Sequence, residues 1–142
     1  MLKLLATAAL SVFVIACGST AAAEKPDPAR QTCEAEARGK IAVYSQTLTL
    51  AAALPTTAGA TARWEYTRNG PNGPRPLVSR WSALPAGQKV VFCYFDGDFA
   101  NYSPPSHGAT RVFERGLVIA TEGEPPRLDH IGPKASTPLE AP

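Results

Sequence analysis

The stretch KVVFCYF, Lys89–Phe95, decides the fold. Read as an extended strand it is apolar on both faces, with Val91, Cys93 and Phe95 on one side and Val90, Phe92 and Tyr94 on the other. A strand exposed on one face alternates apolar with polar residues, so seven residues without that alternation predict a central strand covered on both sides. Pro85-Ala86-Gly87 and Asp96-Gly97-Asp98 bracket it with turn chemistry.

Outward from this strand the pattern stays β-rich. Arg111–Glu114 and Leu117–Thr121 read as two strands joined at Arg115-Gly116, and Arg127–Ile131 as a short edge strand. On the other side, Leu77–Trp81 reads as a short strand. Thr61–Arg68 alternates, with Trp64 and Tyr66 on one face and Arg63, Glu65 and Thr67 on the other, which predicts a half-buried strand. The Asn69–Pro74 run of Asn, Gly and Pro is a dense turn. Residues 41–50 fit a helical stripe or one strand face, and Thr47 and Thr49 favour the strand. Thr32 is an expected N-cap, followed by Glu34 and Glu36 in a first helical turn. The expected fold is therefore β-rich: a mainly antiparallel β sandwich or partly open barrel, or an α+β domain with one short N-terminal helix. An immunoglobulin-like arrangement fits poorly. Trp64 lies thirty-one residues past Cys33, and Val91 occupies the position where a tyrosine corner would sit.

The chain has 142 residues, 44% of them hydrophobic and 18% charged, as expected of one globular domain. Formal net charge is +2, and without Lys3 the count is 14 − 1 = 13 basic against 12 acidic residues. That balance offers no electrostatic footing for nucleic acid.

The N-terminus has a different character. Lys3 precedes a charge-free run from Leu4 to Ala16, thirteen residues. A membrane span needs ~20, whereas a signal-peptide core is this short. The run closes Val14-Ile15-Ala16-Cys17, followed by Gly18-Ser19. This resembles the bacterial lipoprotein signal, with Val14 where Leu is more usual. The resemblance implies cleavage before Cys17, a diacylglycerol on its sulfur, and a further acyl chain such as palmitate on the new amino terminus. Two chains, at ~0.8 kcal/mol per buried methylene, make such an anchor stable. Cleavage after Ala21-Ala22-Ala23, giving a plainly secreted protein, and an uncleaved anchor are the alternatives. All three place the domain outside the cytoplasm, and the first attaches it to a bacterial cell or outer membrane. Residues 1–16 are then the signal, 17–31 a tether, 32–131 the domain and 132–142 a flexible tail.

With Cys17 carrying lipid, Cys33 and Cys93 remain, and in an oxidising compartment they have one pairing. A disulfide closing this loop would stabilise the fold by ~4 kcal/mol in the chain-entropy model. The competing roles, a metal pair or a catalytic thiol, lack nearby ligands or a base: only His107 and His130 are available, and Cys93 sits in an apolar run.

Chemistry beyond that is sparse. No Gly-rich phosphate cradle, H-E-x-x-H or C-x-x-C occurs, so neither cofactor nor metal is expected. Asp96 and Asp98, with Asn101, form a loose oxygen cluster, better explained as a turn than as a calcium site. The segment that follows places Phe99, Tyr102 and His107 on a loop, the expected binding element, although the two aromatics also suit a core-closing role. Trp64, Tyr66 and Trp81 form a weaker candidate, an aromatic platform for a glycan or peptide. Ser106-His107 and Asp129-His130 are neighbours in sequence, a poor basis for a nucleophile–base pair. The leading expectation is a non-catalytic, membrane-anchored binding module with an envelope protein or glycan as partner. An inhibitor of a secreted or cell-wall hydrolase and a small envelope enzyme are the alternatives.

Overall fold

The central strand expected at 89–95 is the second of four in an antiparallel sheet of order β1-β2-β3-β4: β1 Leu48–Thr57, β2 Lys89–Gly97, β3 Arg115–Thr121 and β4 Glu124–Gly132. This is a computed structural model, and it describes residues 25–69, 79–99, 102 and 113–142. The sheet is single and open, and helices cover its faces, so the domain takes the β-rich α+β form.

Both sides of β2 point into core, as its sequence requires. Val91, Cys93 and Phe95 pack with Val118 and Ala120 of β3 beneath a helical arm spanning 28–42. Val90, Phe92 and Tyr94 pack with Leu117 and Ile119 beneath the helix α3, Ala58–Asn69, and Trp81. The arm comprises α1 (Pro28–Thr32), a π-helical segment (Cys33–Ala37) and α2 (Arg38–Ala42). It starts at Asp27, whose side chain accepts from Ala29 N–H at 3.0 Å, and not at Thr32, so four residues of the expected tether are helical. Its buried stripe, Ala29, Cys33, Ala37 and Ile41, repeats every four residues. On a 3.6-residue helix that stripe drifts about 40° per step. The wider i→i+5 turn at its centre rotates the stripe back, keeping all four residues on the sheet. The Cys33–Cys93 disulfide joins the π segment to β2, with both cysteines fully buried.

Four expectations about elements are corrected. Thr61–Arg68 is helix, because Ala58, Ala60 and Ala62 are strong helix formers and Thr57 Oγ1 caps the start by accepting from Ala60 N–H at 3.3 Å. On a helix, residues two apart lie about 200° apart; Trp64 accordingly packs on Phe92 while Tyr66 is exposed. Trp81 belongs to a 3₁₀ turn, Arg80–Ala83, and is fully buried. Residues 41–47 close the arm and turn, so the strand begins only at Leu48. It runs through Pro55, which an edge strand tolerates. Finally, Arg115-Gly116 is no turn but lies within β3. The two-residue connection is Glu122-Gly123, where Gly123 supplies the positive φ of 80°.

Gly116 has a different purpose. A Cβ there would overlap Ile41 Cδ1, so the missing side chain admits Ile41 onto the sheet. Residues after Gly132, read as a flexible tail, instead lie along the α3 face. Thr137 is buried, Tyr94 donates its hydroxyl proton to Glu140 O at 2.5 Å, and Thr56 Oγ1 donates to Pro142 O at 3.1 Å.

Gly116→Ala should destabilise the domain by about 1–3 kcal/mol through overpacking. Ile41→Val removes the obstructing methyl at its own cost of about 0.5–1.5 kcal/mol. In denaturant titrations the double variant should be more stable than the sum of the single changes allows; simple additivity would refute this packing account.

Candidate functional site

Among the described residues, those singled out in sequence do not assemble into one site. Asp96 lies in β2 and takes a two-pronged contact from Arg115, Nε to Oδ1 at 2.6 Å and Nη2 to Oδ2 at 3.1 Å, with Lys134 Nζ 3.1 Å from Oδ2. Arg115 also donates to Thr137 O at 3.2 Å, so this cluster fastens the C-terminal segment to the sheet. The hydrogen bonds from Arg115 hold the Asp96 carboxyl below its usual range, against the opposing push of burial, and Lys134 adds to them. Asp98 N–H donates to Thr47 Oγ1 at 3.3 Å. Phe99 is fully buried in the core beneath the helical arm, and Tyr102 stands edge-on to Tyr44 and Phe113 at 5.4 and 5.5 Å. Phe99 therefore belongs to the core, and the partly buried Tyr102 packs against it. Cys17, Asn101 and His107 lie outside the described residues. The proposed platform also dissolves: Trp81 is core, Tyr66 points away, and the Trp64 ring lies under the Arg68 guanidinium at 5.0 Å. Among the described residues no group of three or more His, Cys, Asp and Glu could hold a metal ion.

A different set of residues does converge. On the α3 face a cavity of about 410 Å³ opens between Trp64, Thr67 and Arg68 of α3, Tyr94 and His130 of the sheet, and Ser136, Thr137, Pro138 and Glu140 of the C-terminal segment. Beside it Asp129 and His130 lie together although they are consecutive in β4. The cause is a bulge: Leu117 pairs His130 and Val118 pairs Leu128, leaving Asp129 as the extra residue. An extra residue breaks the two-residue alternation of side chains, so neighbours that would face opposite ways come to share a side.

The result is a hydrogen-bonded chain. His130 Nδ1 lies 2.7 Å from Asp129 Oδ2, and Nε2 lies 3.1 Å from Thr137 Oγ1. Arg68 Nη1 donates to the same Asp129 oxygen at 2.6 Å. Burial pushes the Asp129 carboxyl upward, but the hydrogen bonds from His130 and Arg68 outweigh it and hold it below its ordinary value. An ionised Asp129 only accepts, so Nδ1 carries a proton, and in the neutral ring Nε2 then accepts from the Thr137 hydroxyl. Arg68 Nη2, 3.3 Å from Nδ1, is then a neighbour and not a partner.

Carboxylate, imidazole and hydroxyl in series have the form of an activated nucleophile. The surroundings suit a clip better. Thr137 is 1% exposed, so an acyl carbon has no approach to its oxygen. The adjacent amides are committed as well, Thr137 N–H to Lys134 O at 3.2 Å and Ser136 N–H to Pro133 O at 3.1 Å, leaving neither to stabilise an oxyanion.

Two signals in the sequence could have pointed here. Trp64 and Arg68 stand at i, i+4, stacking distance once the segment is known to be helical. Pro125-Pro126 marks β4 as an edge strand, where bulges concentrate.

Because Asp96 and Asp129 are both held low, each contributes stability that is present above the unfolded carboxylate value of ~3.9 and is lost as pH falls through the lower folded value. Thermal melts should be flat from pH 7 to about 5 and fall steeply below about 4. Asp96→Asn should lower the melting temperature at pH 7 and reduce the acid-side loss. An unchanged difference between pH 7 and pH 3 would contradict the assignment.

No family model, curated protein or solved structure matches the chain, so the reading of its site rests on its own residues.

Proposed function

We propose that this chain is an exported lipoprotein, anchored through Cys17, whose folded domain is a non-catalytic binding module. The observation that carries the binding role is the cavity against α3. Its polar groups are held in place by one another, and a preorganised site loses little freedom on taking a ligand. The Cys33–Cys93 bridge supports the export half of the reading, since disulfides persist in oxidising compartments. The binding element in this reading is the cavity and not Phe99, which belongs to the core. The partner is an envelope component small enough, or with a group small enough, to enter.

Mass spectrometry of membrane-extracted protein tests the anchor and the bridge together. The expected species begins at Cys17, carries diacylglycerol plus an amide-linked acyl chain, and gains two hydrogens on reduction. A mature start at Glu24 without acyl mass would overturn the anchor.

The Asp129–His130–Thr137 chain favours a second reading, a small envelope hydrolase. A fluorophosphonate probe separates the two. We expect no adduct at Thr137 in the native protein, and His130-dependent labelling would establish the hydrolase instead.

A further inference from the structure

The hydrogen-bonding character of the cavity wall narrows the ligand, on the premise that the cavity is the binding site. Each of the four hydroxyls on the wall is already paired inward: Thr67 Oγ1 donates to Arg63 O at 3.0 Å, Ser136 Oγ to Pro133 O at 3.1 Å and the Tyr94 hydroxyl to Glu140 O at 2.5 Å, while Thr137 Oγ1 bonds His130 Nε2 at 3.1 Å. Towards a ligand these oxygens can only accept. Arg68 is the opposite. Its guanidinium has five N–H donors, of which Nη1 serves Asp129, and Nε has no protein partner among the described residues. The stacking on Trp64 and the Asp129 contact hold that fork in place.

A ligand that satisfies both kinds of wall must donate and accept. A carboxylate or phosphate would suit Arg68, but would bring negative charge beside Asp129, whose own charge already balances the guanidinium, and onto oxygens that can only accept. A hydrocarbon would leave the wall's donors and acceptors unpaired, at about 1–3 kcal/mol for each buried group. Hydroxyl groups do both. Pro138 adds an apolar surface that the C–H groups of a sugar ring can cover. The volume of about 410 Å³ falls within the ~300–1,000 Å³ usual for small-ligand sites.

We infer that the cavity between α3 and the C-terminal segment binds a neutral saccharide unit, with Arg68 donating to the sugar oxygens and the hydroxyls of Thr67 and Ser136 accepting from its hydroxyl groups. The ligand class follows from charge balance and from the direction of these hydrogen bonds.

The test uses the full chain in detergent micelles, observed by amide-resolved NMR during titration with glucose, N-acetylglucosamine and cellobiose, with inorganic phosphate and acetate as anionic comparators. At least one saccharide should shift the amides of Thr67, Arg68 and Ser136 in a saturable manner. Arg68→Met keeps an apolar stem over Trp64 and removes the donors; it should weaken binding by about tenfold, or about 1.4 kcal/mol. Thr67→Val, on the exposed side of α3, guards against a folding defect in the first variant and should also weaken binding. Saccharide binding unchanged in both variants would overturn the assignment to this cavity. Shifts with phosphate or acetate alone would overturn the saccharide inference while leaving the cavity a binding site. No shift with any probe would overturn the inference and the binding reading together.

Discussion

A strand without a wet face must be covered twice, and most of this structure answers that requirement at β2. Val91, Cys93 and Phe95 need one cover and Val90, Phe92 and Tyr94 another. A single open sheet of four strands does not fold over to supply either. The chain therefore provides a helical arm before β1 and the helix α3 between β1 and β2, one for each face. The two covers are built on different principles. The arm approaches closely through small residues, Ala29, Cys33 and Ala37, seats Ile41 over Gly116, and is bonded covalently to the strand. The α3 side is looser and more polar. Glu65 accepts from Trp81 Nε1 at 3.0 Å and from Ser79 Oγ at 2.7 Å, and the C-terminal segment fills the remainder. The cavity lies on this second, looser face.

Much of this was legible from residue patterns, and the part that was not has identifiable causes. The alternation in Lys89–Phe95 named both faces of β2 correctly, and the placement of Cys33 and Cys93 followed from parity. Thr61–Arg68 was misread because eight residues with alternating side-chain character also satisfy a helix whose outward face is polar; the alanines before it carried the deciding propensity. Gly116 was mistaken for a turn because glycine serves both turns and close contacts, and only the position of Ile41 distinguishes them. The Asp129–His130 pair was discounted because neighbours in sequence are a poor basis for a nucleophile–base pair, and in a regular strand consecutive residues do point apart. A single extra residue in β4 suspends that rule, and a bulge leaves little trace in composition.

The polar residues divide in the same way. Asp96, expected in a turn, holds the C-terminal segment through Arg115 and Lys134, while His130, discounted beside Asp129, grips the same segment through Thr137. Both titratable clusters thus bear on one stretch of chain. The segment that closes the cavity is also the one whose attachment depends on charge, so the site and its acid stability are tied to the same few hydrogen bonds.

The disulfide has a mechanical consequence as well. A pull on the chain from its N-terminal side reaches the fold at Pro28, five residues before Cys33. Unwinding can proceed only to that residue. Beyond it the load passes through the sulfur atoms straight into β2, the strand bonded to β1 on one side and β3 on the other. Tension from that end therefore loads strand pairs in the middle of the sheet and bypasses α2 and the turn after it. From the opposite end no covalent stop intervenes, and the segment after Gly132 can be peeled away one hydrogen bond at a time.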